Sequence, residues 1–240
     1  MSRTTVIYPD ADALAHATAA RLLTSIADAV AERGVAHIVL TGGTVGIATL
    51  AAAAESPLRA YVDWTSVHLW WGDERFVAAG HADRNEGQAQ QALIGALPIP
   101  EDNVHRAPSS DDAPGVDDAA ATYGAELAAF GSPVPEFDVL LLGLGPDAHV
   151  ASLFPGHAGF ADTSVGAIGV QNSPKPPPER VSLSLSAINC ARQVWVVAAG
   201  DGKAAAVADC LHGVAEMPGA RVAGTERTLW LIDAAASTNV

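Results

Sequence analysis

The stretch Phe137 to His157, FDVLLLGLGPDAHVASLFPGH, limits the folds open to this chain more than any other segment. Phe137 to Gly143 is almost wholly apolar and β-compatible, and reads as a buried strand long enough to cross a sheet. The run Gly143-Leu144-Gly145-Pro146-Asp147 breaks it, and Ala148 to Phe154 predicts about two turns of helix, stopped by Pro155 and Gly156. The turn after the strand presents a carboxylate and an imidazole, Asp147 and His149. Open α/β sheets bind ligands beyond the carboxyl ends of their strands, so a site is expected here.

The remaining elements fall in alternation around this one. Thr4 to Tyr8 predicts a strand, and Asp10 or Asp12 caps a helix that runs to about Arg33 and ends at Gly34. Ala36 to Leu40 is the next strand, followed by Thr41-Gly42-Gly43-Thr44-Val45-Gly46 and an alanine-rich helix to about Glu55. Val67 to Gly72 is a strand that runs straight into Asp73-Glu74-Arg75. Helices are expected over Arg84 to Leu97 and up to Phe130, with a short strand at Val104 to Ala107 between them. Ile168 to Gln171 reads as a strand, Ser173 to Glu179 as a proline-stiffened loop, and Val181 to Leu185, alternating with serine, as a half-buried strand. Val194 to Ala198 leads into Ala199-Gly200-Asp201-Gly202-Lys203 and a helix to about His212, and Leu229 to Asp233 is a last strand.

Strands alternating with helices imply an α/β, doubly wound, mostly parallel sheet with helices on both faces. No repeat and no boundary separates two cores, so residues 1–240 are expected to form a single domain. Four strand ends carry unusual polar residues: 41–46, 73–75, 145–149 and 200–203. In a parallel sheet all four open on the same edge.

Charge and composition exclude several classes of function. The 240 residues carry 27 acidic and 13 basic side chains, a net charge of -14, which offers no positive footprint to nucleic acid. No basic amphipathic stretch suits a membrane surface, no run of about 18 apolar residues suits a span, and the N-terminus lacks a signal-peptide pattern. Cys190 and Cys210, outside any C-x-x-C pair, read as reduced core thiols. A soluble, cytoplasmic protein is expected.

Several chemistries can be set aside on pattern alone. Gly143, Gly145 and Ala148 match a dinucleotide-binding spacing, but Pro155 ends the following helix too soon and no strand ending in a carboxylate stands at the right distance. Gly-x-Ser-x-Gly is absent, and no histidine pair has metal-ligand helix spacing. Three features survive. Gly42-Gly43-Thr44 at a helix start can cradle a phosphate on backbone amides, or can be a tight turn with a threonine cap. Lys203, one of only two lysines with Lys175, falls on a glycine-rich strand-to-helix turn, and Arg180 sits against the Pro-rich loop. Asp73-Glu74-Arg75 ends a buried strand, and Arg75 with His149 on one sheet edge would supply a cation and a base for a carbonyl reaction.

The segments LTGGTVGIATL, WWGDERFV, LLGLGPDAHVASLFPGH, PKPPPERVSLSLSAINCA and AAGDGKAAAV, in this order, resemble the successive motifs of the 6-phosphogluconolactonases, relatives of the glucosamine-6-phosphate deaminases/isomerases. The resemblance covers nearly the whole chain and implies the deaminase-like, Rossmann-like fold. The deaminase branch has Asp-Glu-Tyr where this chain has Asp73-Glu74-Arg75, and a carboxylate shortly after the histidine. No Asp or Glu stands from Val150 to His157, so the lactonase branch is the better match. Two positions depart from the family pattern. Thr41-Gly42-Gly43-Thr44-Val45-Gly46 replaces Ser-Gly-Gly-Ser-Thr-Pro, and Ala148 replaces the glycine of Asp-Gly-His. If that glycine takes positive φ, alanine costs on the order of 1 kcal/mol there and can shift His149.

The resemblance implies a metal-independent, cofactor-free hydrolysis of 6-phospho-D-glucono-1,5-lactone to 6-phosphogluconate, a step of the oxidative pentose phosphate route. His149 is then the general base, Arg75 stabilises developing charge or orients the substrate, and Asp73 holds Arg75 or binds sugar hydroxyls. Asp147 fixes the His149 turn. The phosphate sits on Gly42, Gly43 and Thr44, with Arg180 and Lys203 as counter-charges. The expected partner is a small sugar-phosphate lactone, without nucleic acid or membrane, and the expected state a monomer or small homo-oligomer. Sugar-phosphate isomerisation or deamination on the same fold, or sugar-phosphate binding without chemistry, are the alternatives.

Overall fold

The computed structural model describes residues 2–240. Strands β1 (Ser2–Tyr8), β2 (Ala36–Leu40), β3 (Val67–Trp71) and β4 (Asp73–Arg75) alternate with helices α1 (Ala11–Arg33), α2 (Gly43–Glu55) and α3 (Asn85–Ala92). Helix α4 (Val116–Phe130) then leads to β5 (Val139–Gly143), α5 (Ala158–Ala161), β6 (Ala167–Val170), β7 (Arg180–Leu183) and α6 (Leu185–Ile188). Strand β8 (Gln193–Ala198), α7 (Ala204–Leu211), α8 (Pro218–Arg221) and β9 (Arg227–Asp233) complete the chain. The main sheet has the order β1-β9-β8-β5-β2-β3, and every pair in it is parallel.

Local rules account for most of these elements. Helix α1 starts where the Asp10 side chain accepts from the Ala13 amide and stops where Gly34 takes φ 76, donating back to the Val30 carbonyl. Strand β5 is buried on both faces, which is why it lacks alternation. Val139 and Leu141 pack with Leu22, Ile26 and Leu50 of α1 and α2, whereas Leu140 and Leu142 pack with Tyr123 and Leu127 of α4 and Val207 of α7. No helix among the described residues is long and apolar enough to cross a membrane.

The order of the strands places the site. From β2 the chain moves outward to β3, then returns to β5 and moves the other way through β8 to β9. The direction reverses between β2 and β5, and at such a reversal successive crossovers leave on opposite sides and open a crevice beyond the strand ends. The two loops that border it are Thr41 to Thr44 and Leu144 to His149. They are joined by the Gly143 amide, which donates to Thr41 Oγ1 at 3.1 Å.

Four expectations need correction. Of the two cysteines expected in the core, Cys210 is buried but Cys190 is exposed. Ala148 to Phe154 is not a helix: Ala148 has φ 62 and Ala151 φ 48, and the segment closes as turns with a Val150–Leu153 bridge. The cause is tertiary. Ser152 is fully buried, its amide donating to Ser182 Oγ at 3.2 Å and its hydroxyl to Asp73 Oδ2 at 2.7 Å, so neither serves a helix. The serine-alternating strand is not half-buried either. All four residues of β7 are buried, because β7 is the centre of a second, antiparallel sheet of order β4-β7-β6 and Ser182 is satisfied inside it. The helix expected over Arg84 to Leu97 is α3 with a separate 3₁₀ turn at Ile94–Ala96, and Val104 contributes only an isolated bridge to Leu69.

Candidate active site

A cavity of about 540 Å³ opens at the β2/β5 crevice, and all four polar strand ends reach it. Its wall includes Thr41 to Val45, Asp73, Arg75, Asn85, Gly145, His149, Lys175, Arg180, Gly200, Lys203 and Asp233. Both lysines of the chain line it. Four cationic side chains (Arg75, Lys175, Arg180, Lys203) meet three carboxylates (Asp73, Asp147 at the edge through its ion pair, Asp233), a balance unlike the net charge of -14.

The glycine turn has the geometry of an anion cradle. Helix α2 starts at Gly43, which takes φ 79, and no side chain caps it. The first amides of a helix lack internal acceptors and carry the positive end of its dipole. Across the cavity, Lys203 lies on the Asp201–Lys203 turn after β8. Asp233 anchors that turn by accepting from the Gly200 amide through both oxygens, at 3.0 and 3.1 Å, and from Ala236 at 2.8 Å. Burial, with Lys175 nearby, lowers the Lys203 pKa.

His149 is held by Asp147. The imidazole Nδ1 lies 2.6 Å from Asp147 Oδ1, and an ionised carboxylate only accepts, so Nδ1 carries the proton and Nε2 keeps a lone pair. Lys175 Nζ donates to the same oxygen at 3.0 Å and lies 3.2 Å from Nδ1. One carboxylate oxygen thus gathers two donors. Burial alone would raise Asp147, but its hydrogen bonds from His149 and Lys175 outweigh that and hold it at about 2. Burial lowers the His149 pKa, opposed by the Asp147 bond and charge and reinforced by Lys175. The Phe154 ring packs 4.6 Å from the imidazole and limits its rotation.

These opposed influences separate in an experiment. Asp147→Asn removes what holds the His149 pKa up, so the imidazole should titrate at lower pH. Lys175→Met removes a depressing charge, so it should titrate at higher pH. Shifts of the same sign in the two titrations, followed by the His149 ring proton resonances, would contradict this arrangement.

The alanine at 148 is strained as expected. Its φ of 62 is left-handed, a conformation that costs an L-residue roughly 1–2 kcal/mol. The turn is nonetheless closed, with Gly145 N donating to His149 O at 2.8 Å, Ala148 N to Gly145 O at 3.0 Å and Gly219 N to Ala148 O at 3.0 Å.

Two expected roles are redistributed. Asp73 does not hold Arg75; it accepts from Ser152 and lies 3.8 Å from Arg180 Nη1. Arg75 instead donates through Nη1 to the Asp83 carbonyl at 2.8 Å and to the Asn85 carboxamide. Arg180 lines the cavity, but its guanidinium donates to the carbonyls of Lys175, Pro176 and Pro177 at 3.1–3.2 Å and approaches Ser152 Oγ at 3.5 Å. It pins the proline loop that carries Lys175 and has little left for a phosphate.

Lys175, Asn85 and Asp233 were not singled out by the sequence. For Lys175 a signal existed, since it is one of two lysines and sits in PKPPPER. His157 is structural: it caps α5 through the Gly159 amide and meets the Gln171 carbonyl.

A crevice of this kind, with a carboxylate-oriented imidazole on one side and an uncapped helix start on the other, belongs to the doubly wound α/β enzymes of small polar substrates. Comparison with known proteins narrows that class. The family described as "Glucosamine-6-phosphate isomerases/6-phosphogluconolactonase" matches residues 9–230, and the chain belongs to it. A 6-phosphogluconolactonase of Streptomyces coelicolor is 52% identical over 98% of this chain and 94% of its own length. One from Mycobacterium tuberculosis is 43% identical over 97% and 96%. Among solved structures, the 6-phosphogluconolactonase of Trypanosoma brucei superposes with a TM-score of 0.84 at 27% identity, covering 100% of this chain and 99% of that one. A monomeric glucosamine-6-phosphate deaminase, at 15% identity, a TM-score of 0.81 and full coverage of both chains, shares the fold.

Proposed function

We infer that the chain hydrolyses 6-phospho-D-glucono-1,5-lactone to 6-phospho-D-gluconate, with His149 as general base. The observation that carries this reading is the Asp147–His149 pair facing the uncapped start of α2 across one cavity, in a family whose lactonase relatives match nearly end to end.

A lactone carbonyl is already electrophilic, so the protein has to place water, take its proton and steady the oxyanion. With Nδ1 tied to Asp147, Nε2 accepts the proton as the water oxygen bonds to C1, and the carbonyl pair moves onto oxygen. Arg75 is the cation assigned to that developing charge. Collapse of the tetrahedral intermediate breaks the bond between C1 and the ring oxygen, which takes the proton from Nε2. The acid formed ionises to the carboxylate and releases a proton to solvent. The depressed pKa keeps the imidazole neutral at neutral pH, the form that a base needs.

On this reading the phosphate sits on the amides of Gly43 and Thr44, with the Thr44 hydroxyl and Lys203 as further donors, while the bare Gly42 leaves room for the Asn85 carboxamide beside the turn. The long-range field of a chain at -14 opposes a phosphorylated substrate. Screening over about 8–10 Å leaves the local cations to decide binding. The same acidity argues against a nucleic-acid partner.

Lys203→Ala should raise KM by roughly 10–100-fold, the equivalent of one charge-assisted hydrogen bond, and leave kcat within a few-fold. A fall in kcat with unchanged KM would remove Lys203 from the phosphate subsite. The reading as a whole is tested by hydrolysis of freshly generated lactone against its spontaneous rate, with glucosamine 6-phosphate and an ammonia readout in parallel. No acceleration of lactone loss, or release of ammonia, would overturn it.

A further inference from the structure

Glu74 is buried beneath the cavity without lining it, and the mechanism above gives it no task. Its Oε1 accepts from the amides of Arg75 and Asn85, each at 2.7 Å, and its Oε2 accepts from the Glu86 amide at 2.8 Å. The last two donors belong to the first turn of α3, which has no side-chain cap of its own. A carboxylate on β4 therefore caps a helix from outside it.

The helix start so held carries Asn85, whose side chain works in two directions. Its Nδ2 donates to the Asp73 carbonyl at 2.8 Å, and its Oδ1 accepts from Arg75 Nη1. Gly42 closes over the same carboxamide so tightly that a methyl group there would overlap it. Asn85 is thus wedged between the anion cradle and the guanidinium. Arg75 has its other Nη1 acceptor in the Asp83 carbonyl, on the same approach to α3.

We propose that Glu74 is a positioning residue, which ties the first turn of α3 to β4 and so fixes, through Asn85, the orientation of the Arg75 guanidinium in the cavity. The proposal rests on the reading that Arg75 faces the substrate. Glu74 cannot itself be the acid or base, because both oxygens are committed to amides and the side chain does not reach the cavity. Burial pushes its pKa up to about 7, against Arg84 and the three amides. The carboxylate is therefore held at the expense of solvation, as expected of a group retained for where it points its neighbours.

Glu74→Gln keeps the shape but leaves one acceptor oxygen for three amides and turns an NH₂ toward at least one of them. The test is a double-mutant cycle in kcat/KM among the native chain, E74Q, R75A and the double variant, at a temperature where circular dichroism shows all four folded. E74Q should lower kcat/KM about tenfold or more in the native background and less than about twofold when Arg75 is absent. Equal factors in both backgrounds, with R75A itself impaired, would mean that Glu74 acts on the fold at large, and would overturn this proposal alone. An unimpaired R75A would overturn the reading of Arg75 and the proposal with it. If E74Q does not fold, Asn85→Ala cuts the same relay beyond the buried carboxylate. Its cycle with R75A should be non-additive, and additivity would overturn the relay.

Discussion

Replacing His149 by alanine is expected to lower kcat by about 10²–10⁴-fold, the usual worth of a positioned acid–base group, while 6-phosphogluconate still binds within a few-fold of its native affinity. Two features of the geometry separate these effects. The imidazole sits on the turn after β5, bonded to Asp147, whereas the proposed phosphate cradle is the start of α2, after β2, with Lys203 after β8. The two loops touch through the Gly143 amide and Thr41 Oγ1, a contact that alanine at position 149 leaves intact. Loss of the ring leaves Asp147 with Lys175 as its partner, so the turn keeps one of its two ties. Single-turnover rates with fresh lactone and calorimetric titration with product measure the two sides. An unchanged turnover would remove His149 as the base, and loss of product binding would show that the ring supports the cradle. The native acid limb should fall below the ordinary histidine value, since burial lowers the His149 pKa and the base is lost only on protonation.

The parts of the molecule that follow local rules are legible in the sequence alone. Asp10 and Gly34 mark the ends of α1 because a side-chain acceptor and a left-handed residue do the same in any helix. The β5 strand was legible because a run of Val and Leu without alternation has few other homes. The convergence of four polar turns followed from parallel strands alone. What escaped depends on partners distant in sequence. Ala148 to Phe154 has a helical composition, yet Ser152 is claimed by Asp73 and Ser182, 79 and 30 residues away. Lys175 reaches Asp147 over 28 residues because Arg180 gathers three successive carbonyls of its loop. Arg180 itself could be recognised as a cation of the site from sequence, but not that the backbone would take its donors. From sequence, β4 reads as the tail of β3. The bend at Gly72, whose amide still donates to Leu40 while its carbonyl accepts from Leu183, sends it into a second sheet.

Gly145→Ala is expected to be nearly as damaging to turnover as removal of the imidazole, about 10²-fold or more in kcat, although the residue carries no chemistry. Gly145 is not among the residues with positive φ, so its backbone tolerates a side chain. The obstacle is space. A Cβ there would overlap Nδ1 and Cε1 of His149 and stand 2.5 Å from Asp147 Oδ1. Those atoms cannot yield together without breaking the 2.6 Å bond that fixes the tautomer, because Phe154 backs the ring and Lys175 holds the carboxylate. The backbone offers little relief, since the Gly145 amide and carbonyl both close the turn, to His149 and Ala148. One methyl group should therefore unseat the proposed base while leaving α2 and Lys203 in place. Three measurements distinguish this from general damage. Product affinity should persist. The His149 pKa, followed by its ring proton resonances, should move away from the native value as the Asp147 bond is lost. In a His149→Ala background the Gly145 substitution should add less than about threefold, since the group it displaces is gone. A full additional loss there would show that Gly145 serves the cavity by some route other than making room for the imidazole and its carboxylate.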